Sequence, residues 1–360
     1  MGREWSIRAY QSGDEEGMFE LESAVYGKIA DKDLWMRRWK WMFQANPAGA
    51  PVIWFAESNG KLVGQYPVNR MKMKIGNEIL NGSQMMALMT HPDYQRQGIF
   101  LALAKQALSD AGSKGFDITY GFPNKLAFPG HIKSGYSDVG AISAMIKLLN
   151  CKNILRKYIT NRLLLEICAV SMSSIIRLVY RTGKAPNVDA LTITRVSSFD
   201  ERINDLWEKV SNDYEIMVVR DKEYLNWRFV DIPDVDYAIY LAEKEGQILG
   251  YTVLRCEKQF GLKVGRIFEL VVPLRQEQVA QALILKAIEF FKEERVDLVI
   301  YRMIGSRAYH KVLRKGGFIY SHLASRNVRL IAHPNTSKIS QAFLGDSRNW
   351  FLQTGDSDAI

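Results

Sequence analysis

Met85-Met86-Ala87-Leu88-Met89-Thr90-His91-Pro92-Asp93-Tyr94-Gln95-Arg96-Gln97-Gly98-Ile99-Phe100 is an apolar run that enters a polar turn with one glycine, and an apolar-periodic stretch follows as far as Gly112. The pattern predicts strand, loop and helix in direct succession. That order makes an anion site. Amides opening a helix lack carbonyl partners, the helix dipole favours negative charge beside them, and a glycine lets the backbone approach a phosphate with no Cβ in the way. Gly98 stands where the loop enters the helix.

Downstream, Phe116-Asp117-Ile118-Thr119-Tyr120 reads as a second short strand, followed by Gly121-Phe122-Pro123-Asn124 and later by Gly135-Tyr136. Within this unit, Gln95-x-x-Gly98-x-Phe100 resembles the coenzyme A pyrophosphate loop of the GNAT acyltransferases, whose usual form is Gln/Arg-x-x-Gly-x-Gly/Ala. The chain departs from that form at Phe100, where a small residue is usual, and the ring is expected to narrow the loop. The resemblance continues in Asn124, Ala127, Gly135 and Tyr136, which fall in the family's register of Asn-x-x-Ala and a later Gly-aromatic pair. It implies an acetyl-CoA or other acyl-CoA co-substrate. The pantetheine arm would pair with the backbone of Leu88, Met89 and Thr90, amides of Gln95, Arg96, Gln97, Gly98, Ile99 and Phe100 would hold the pyrophosphate, and Asn124 would touch the cofactor. The register also places His131 where the family's thiolate-protonating tyrosine stands. An imidazole titrates close enough to neutrality for that role. Pro129-Gly130 is expected to interrupt the helix before it, and the alternative is a surface loop histidine.

The same architecture occurs twice. Asp14 and Asp200, Glu15 and Glu201, Trp41 and Trp227, Pro47 and Pro233, Ala56 and Ala242, Glu57 and Glu243, Gly60 and Gly246, and Gly64 and Gly250 are all 186 positions apart. Residues 54–64 and 240–250 each read as strand, tight turn, strand. Gly135-Tyr136 and Gly317-Phe318 pair at 182, so the second copy is slightly shorter. The expected fold is α/β: two tandem GNAT-like mixed-sheet domains with a helical connecting segment, divided at 1–144, 145–188 and 189–360.

The copies differ where chemistry would live. The turn after Arg266-Ile267-Phe268-Glu269-Leu270-Val271-Val272 has no glycine and carries Glu277, which would repel a pyrophosphate; Ser306 and Leu313 stand opposite Asn124 and His131. The second copy reads as degenerate. In many GNAT enzymes a carboxylate on the central strand acts as base for the amine. Copy one has Ala87 near that place, so the base is sought in Glu22 on the first helix, in Glu269 across the interface, or in Asp356 and Asp358 of the tail. The tail enters because tandem relatives of the enhanced intracellular survival type return their C-terminus to the first active site.

The connector resembles neither copy. Between Met145 and Lys184 lie eight Lys or Arg (Lys147, Lys152, Arg156, Lys157, Arg162, Arg177, Arg181, Lys184) against Glu166 alone, most of the chain's formal net +9. Arg162, Glu166, Ser173 and Arg177 fall on one stripe of an otherwise apolar helix, too interrupted for a transmembrane span. Two readings stay open: a helix on an anionic membrane surface, or a helical hairpin packed over the domains. Elsewhere charge is nearly balanced and no nucleic-acid motif appears, so no nucleic-acid partner is expected. Cys151, Cys168 and Cys256 are widely spaced, which implies neither disulfides nor a metal site and suggests a reducing compartment. The N-terminus lacks a signal-peptide core, so a cytoplasmic protein, peripheral to the membrane at most, is expected; Gly2 with Ser6 fits a loose myristoylation pattern.

The combined reading is an N-acyltransferase, most simply an acetyltransferase, acting on a small-molecule or peptide amine with its site in the first copy. Its competitors are a Fem-like aminoacyl or peptidyl transferase at the membrane face and a non-catalytic GNAT-fold binding protein. Trp35, Trp39 and Trp41 could line an acceptor cleft or fill the core.

Overall fold

The computed structural model describes residues 4–27, 29–179, 189–259, 261–305, 307–322 and 328–357. Gly2, Ser306, Asp358 and residues 180–188 of the connector lie outside the described residues, as do the side chains of Ser173 and Arg177.

The first half runs β1 (Ser6–Ala9), α1 (Glu15–Tyr26), α2 (Lys32–Trp39), a wider helical turn at Lys40–Gln44, β2 (Val52–Ser58), β3 (Lys61–Ile75), β4 (Glu78–Met85), β5 (Met89–Thr90), α3 (Ile99–Ala111), β6 (Ile118–Gly121), α4 (Phe128–Ser134), β7 (Ser137–Ala141) and β8 (Ser143–Leu148). The connector forms α5 (Cys151–Leu155) and α6 (Arg162–Val179). The second half repeats the plan with β9 (Thr192–Val196), α7 (Arg202–Ser211), β10 (Ile216–Val218), α8 (Lys222–Phe229), β11 (Ala238–Lys244), β12 (Gln247–Gln259), β13 (Leu262–Val271), α9 (Glu277–Glu293), β14 (Leu298–Ile304), α10 (Arg307–Lys315), β15 (Ile319–Tyr320), β16 (Arg329–Pro334), α11 (Gln341–Gly345) and β17 (Trp350–Gln353).

Local chemistry explains the repeated hairpins. Asn59 and Gly60 have φ of 50° and 76°, and Glu245 and Gly246 have 50° and 77°. Two consecutive positive φ values make the turn whose twist matches that of the flanking strands. β2–β3 and β11–β12 then pair antiparallel in matching register, each with a bulge after the alanine at 56 or 242.

The last strand of each copy crosses to the other. β8 lies antiparallel between β14 and β15 of the second sheet, and β16 lies antiparallel between β6 and β7 of the first. β10 also reaches across, pairing Ile216–Val218 with Met73–Ile75 of β3, and β17 joins both sheets by pairing with β10 and β14. Chain divisions at 144 and 188 are therefore not the borders of the sheets. The largest core cluster accordingly mixes Met71, Met73, Ile118 and Tyr120 with Ile216, Leu241, Tyr301 and Trp350.

At the centre of this exchange, Trp41 and Trp227 stack with ring centroids 5.2 Å apart. Each indole donates to the other's carbonyl, Trp41 Nε1 to Trp227 O at 2.6 Å and Trp227 Nε1 to Trp41 O at 2.9 Å. The reciprocity marks the approximate two-fold axis that relates the copies. Pro129 does not break the helix expected around it, because it falls in the first turn of α4, where its missing N–H is no loss.

Candidate functional site

β4 ends at Met85 and β5 begins at Met89, and Ala87 between them turns the chain with φ of 48°. β4 pairs parallel with β6 from Gly82–Ile118 to Gln84–Tyr120, whereas β5 pairs only with β3 among the described strands. The sheet is therefore splayed between β5 and β6. His91 N donates to Val63 O, so in the alternation of an antiparallel ladder the amide and carbonyl of Thr90 point away from β3 into that splay. Met89 is buried, while Leu88 and Thr90 are half-buried.

Beyond β5 the loop leads to α3. Gln95, Arg96, Gln97 and Gly98 are exposed, and Arg96 and Gly98 have φ of 61° and 81°. Ala102 N makes the first bond within the helix, to Gly98 O at 3.0 Å. The amides from Gly98 to Leu101 thus have no carbonyl ahead of them in the helix, and a Cβ added at Gly98 would meet nothing within 4 Å. Phe100 does not narrow this loop. Its ring folds back over Gly130, where an added Cβ would sit 2.4 Å from Phe100 Cε1, and lies edge-on to His131 at 4.9 Å between centroids. The expectation of a narrowed loop is thereby corrected: Gly130 gives the aromatic ring its space.

His131 is fully buried among Phe100, Tyr66 and Tyr136. The Tyr66 hydroxyl lies 3.4 Å from its Nδ1, and its Nε2 has no hydrogen-bond partner among the described residues. Burial pushes its pKa down to about 4. Burial disfavours the imidazolium that would be the effective acid, and the aromatic enclosure gives the ring a packing environment; His131 is not the surface loop residue of the alternative reading. Asn124, exposed in the loop before α4, accepts from Leu126 N and Ala127 N at 3.0 and 2.9 Å, which leaves its amide nitrogen to offer a ligand.

A cavity of about 370 Å³ opens on the other side of Ala87. Met18, Trp35, Trp39, Met42 and Phe43 form its apolar wall, with Glu22, Asp31 and Arg38 as its charged groups. Gln65 Nε2 donates to Ala87 O at 2.9 Å, tying the cavity to the kink. Glu22 accepts from Trp35 Nε1 at 2.9 Å, and Asp31 caps α2 through Leu34 N at 2.8 Å. Trp35 and Trp39 line the cavity, whereas Trp41 belongs to the core pair. The helical run Lys32–Gln44 that builds this wall is longer than its counterpart α8, Lys222–Phe229.

The second copy has the same splay, filled from within. β13 pairs with β14 only to Ile267–Tyr301; beyond that, β17 pairs Leu352 and Gln353 with Ile304 and Met303. Leu270 N, opposite Leu88 at the offset of 182, donates to Gln353 Oε1 at 2.8 Å. Val272 N, opposite Thr90, donates to the Tyr309 hydroxyl at 3.0 Å, and that hydroxyl donates to Val272 O at 3.0 Å. Tyr309 stands opposite Ala127 at the same offset. Glu277, which opens α9, is paired with Lys311 and Lys315, so the repulsion expected of it is neutralised and the block in this copy rests on Tyr309 and Gln353.

Glu269 does not reach the first copy's cavity. It is 1% exposed, accepts from Arg220 Nε at 2.9 Å and Gln353 Nε2 at 3.1 Å, and shares Arg220 with Asp356, which lies 2.6 Å from the guanidinium. Burial pushes Glu269 up to about 7 and Asp356 upward too, against the pull of the Arg220 and Arg228 guanidinium groups. Asp356 O in turn accepts from Gln84 of β4 at 2.8 Å. The structure thus gathers the loop, Thr90, Ala87 and Glu22 around one splay and leaves His131 and Glu269 in the interior. The sequence reading missed Arg220, the Tyr309–Ala127 contrast and the Gln353 plug. Only the contrast left a signal, because aligning the copies at 182 sets a tyrosine against an alanine.

Residues 6–137 match the family profile described as an acetyltransferase (GNAT) domain. Comparison with curated protein sequences returned no match. Among solved structures, the chain is similar to a GCN5-related N-acetyltransferase from Anabaena variabilis, with a TM-score of 0.65 at 12% identity over 92% of this chain and 73% of that one. It is also similar to a conserved protein of unknown function from Enterococcus faecalis, at 0.65 and 13% over 92% and 72%. Eis1 from Mycobacterium abscessus gives 0.50 and 15% over 82% and 64%. At such identities the likeness is one of fold.

Proposed function

Because residues 6–137 match the acetyltransferase (GNAT) domain profile, we propose that the chain is a GNAT-type enzyme whose first copy transfers an acyl group, most simply acetyl, from acyl-CoA to a primary amine. The observation that carries this reading is the contrast between the two splays. In the second copy Gln353 and Tyr309 satisfy the backbone groups of Leu270 and Val272; in the first, the corresponding edge at Leu88 and Thr90 is left to a ligand. When bound, acyl-CoA would supply an activated thioester. The amides from Gly98 to Leu101 would hold its pyrophosphate, and Thr90 would pair with the pantetheine arm.

The amine would enter through the cavity at Ala87. Its aromatic and methionine wall suits an acceptor with an apolar body, and Glu22 provides the negative charge that draws an ammonium group. Glu22 would then accept the proton the amine must lose, directly or through one water. No protein acid is required for the sulfur, since thiols ionise near pH ~8.5 and can leave as thiolates.

Calorimetric titration of acetyl-CoA, then of longer acyl-CoAs, tests this. Single-site binding is expected in the wild type. Gly98→Glu, which sets a carboxylate against the pyrophosphate, and Ala127→Tyr, which copies the second copy's block, should each weaken it by about a hundredfold or more. Glu22→Gln should keep that binding and lower turnover of an amine acceptor by about a hundredfold. If no acyl-CoA binds, or if both loop variants bind as the wild type does, the reading fails.

A further inference from the structure

Helix α6 is apolar on two opposite sides. At 100° per residue Leu165 and Ala169 share one side, and both are buried where the helix packs on α5. Leu163, Ile167 and Val170 fall on the opposite side and are 77%, 61% and 64% exposed. Leu164 beside them is half exposed, and Tyr158, in the turn before the helix, is 82% exposed. A single surface leucine is ordinary, but an aliphatic stripe over successive turns of one helix is a contact surface left open.

Basic residues frame the stripe. Arg156 and Lys157 precede the helix and Arg162 opens it, all exposed. The helix's one acid, Glu166, is neutralised by Lys152 of α5. We propose that this face of α6 lies on an anionic lipid surface, with Leu163, Ile167 and Val170 at the acyl boundary and Arg156 and Arg162 among the headgroups. Charge selects this occupant. Two copies meeting through the same face would set Arg162 and its basic neighbours against their own images, an isologous contact opposed by like-charge repulsion. An anionic bilayer receives the apolar stripe and its basic rim together. The helix lies on the surface and does not span it, for no described helix is long and apolar enough to cross a membrane.

The test is co-sedimentation of the full-length protein with vesicles of phosphatidylcholine mixed with phosphatidylglycerol, and with vesicles of phosphatidylcholine alone. Binding is expected to the mixed vesicles, to fall as salt rises, and to be far weaker to the neutral ones. The combined Leu163→Ser, Ile167→Ser, Val170→Ser variant and the combined Arg156→Glu, Arg162→Glu variant should each lose about tenfold or more in vesicle affinity while keeping the wild-type melting temperature. Failure to bind the mixed vesicles would overturn the proposal. So would equal binding by the serine variant, or a solution dimer that the serine variant disperses while no vesicle is bound.

Discussion

The His131 ring lies edge-on to Phe100 and Tyr136, so protonating it would bury a charge among aromatics. Its pKa is pushed down to about 4. Above about pH 6.5 the residue is neutral folded or unfolded and adds no pH dependence; as pH falls from there towards 4, only the unfolded chain takes up the proton, and stability is lost. By pH 5 this loss amounts to about 2 kcal/mol. Glu269, raised to about 7, contributes with the opposite sign: its share is complete below its unfolded value and lost as pH climbs to 7. A comparison with His131→Phe separates the two. Urea unfolding at pH 7 and pH 5 should show the wild type losing about 2 kcal/mol more than the variant, and parallel behaviour would contradict the burial argument. Turnover should survive the change, which a thiolate-protonating role would forbid. The sequence displayed the parts of this arrangement, an intruding Phe100 and a helix-disfavouring Pro129-Gly130, as two separate departures. Their compensation was illegible because it depends on α3 and α4 packing together, which no local pattern records.

Among elements, β17 is the one whose role the sequence hid most completely. Four residues, Trp350 to Gln353, fill the second splay and join the two sheets, and the Thr354–Asp356 turn that follows closes over Arg220. Local patterning marked Glu269 as a carboxylate on a strand, and the family resemblance made it a base candidate. Its partners Arg220 and Asp356 lie 49 and 87 residues away, beyond the reach of a periodicity argument. In place, Asp356 accepts from both Arg220 and Gln353 N, so removing its carboxylate leaves two buried donors without their acceptor. Asp356→Ala should therefore cost about 3–5 kcal/mol, read as a lower urea midpoint, since it breaks a wholly buried cluster. It would also release the second splay from its plug. Acyl-CoA binding should not appear there, because Tyr309 still covers Val272. A midpoint unchanged by Asp356→Ala would mean that the cluster does not hold the C-terminal turn.

At the scale of the molecule, the repeat was legible because identities at one offset need no knowledge of pairing, and the hairpins followed from their turn residues. The exchange of strands was not. β8 and β16 occupy equivalent places in the two copies, so their alternation of apolar and polar residues suits either sheet, and nothing local states which one each joins. The choice has a thermodynamic consequence. Without β16, the facing edges of β6 and β7 lose their shared partner; without β8, β14 and β15 lose theirs. The Trp41–Trp227 pair and the β3–β10 ladder add further contacts that neither half can form by itself. The two halves should accordingly unfold as one cooperative unit, with a single calorimetric transition whose calorimetric and van't Hoff enthalpies agree. Expressed separately, 1–144 and 189–360 should each lack a cooperative melt, because each would expose apolar strand edges and half of a common core. Co-expressing 1–188 with 189–360 should restore it, since the missing strands are then supplied in trans. Two resolved transitions in the intact chain, or a cooperative melt in either isolated half, would show that the crossed strands are not what binds the copies together.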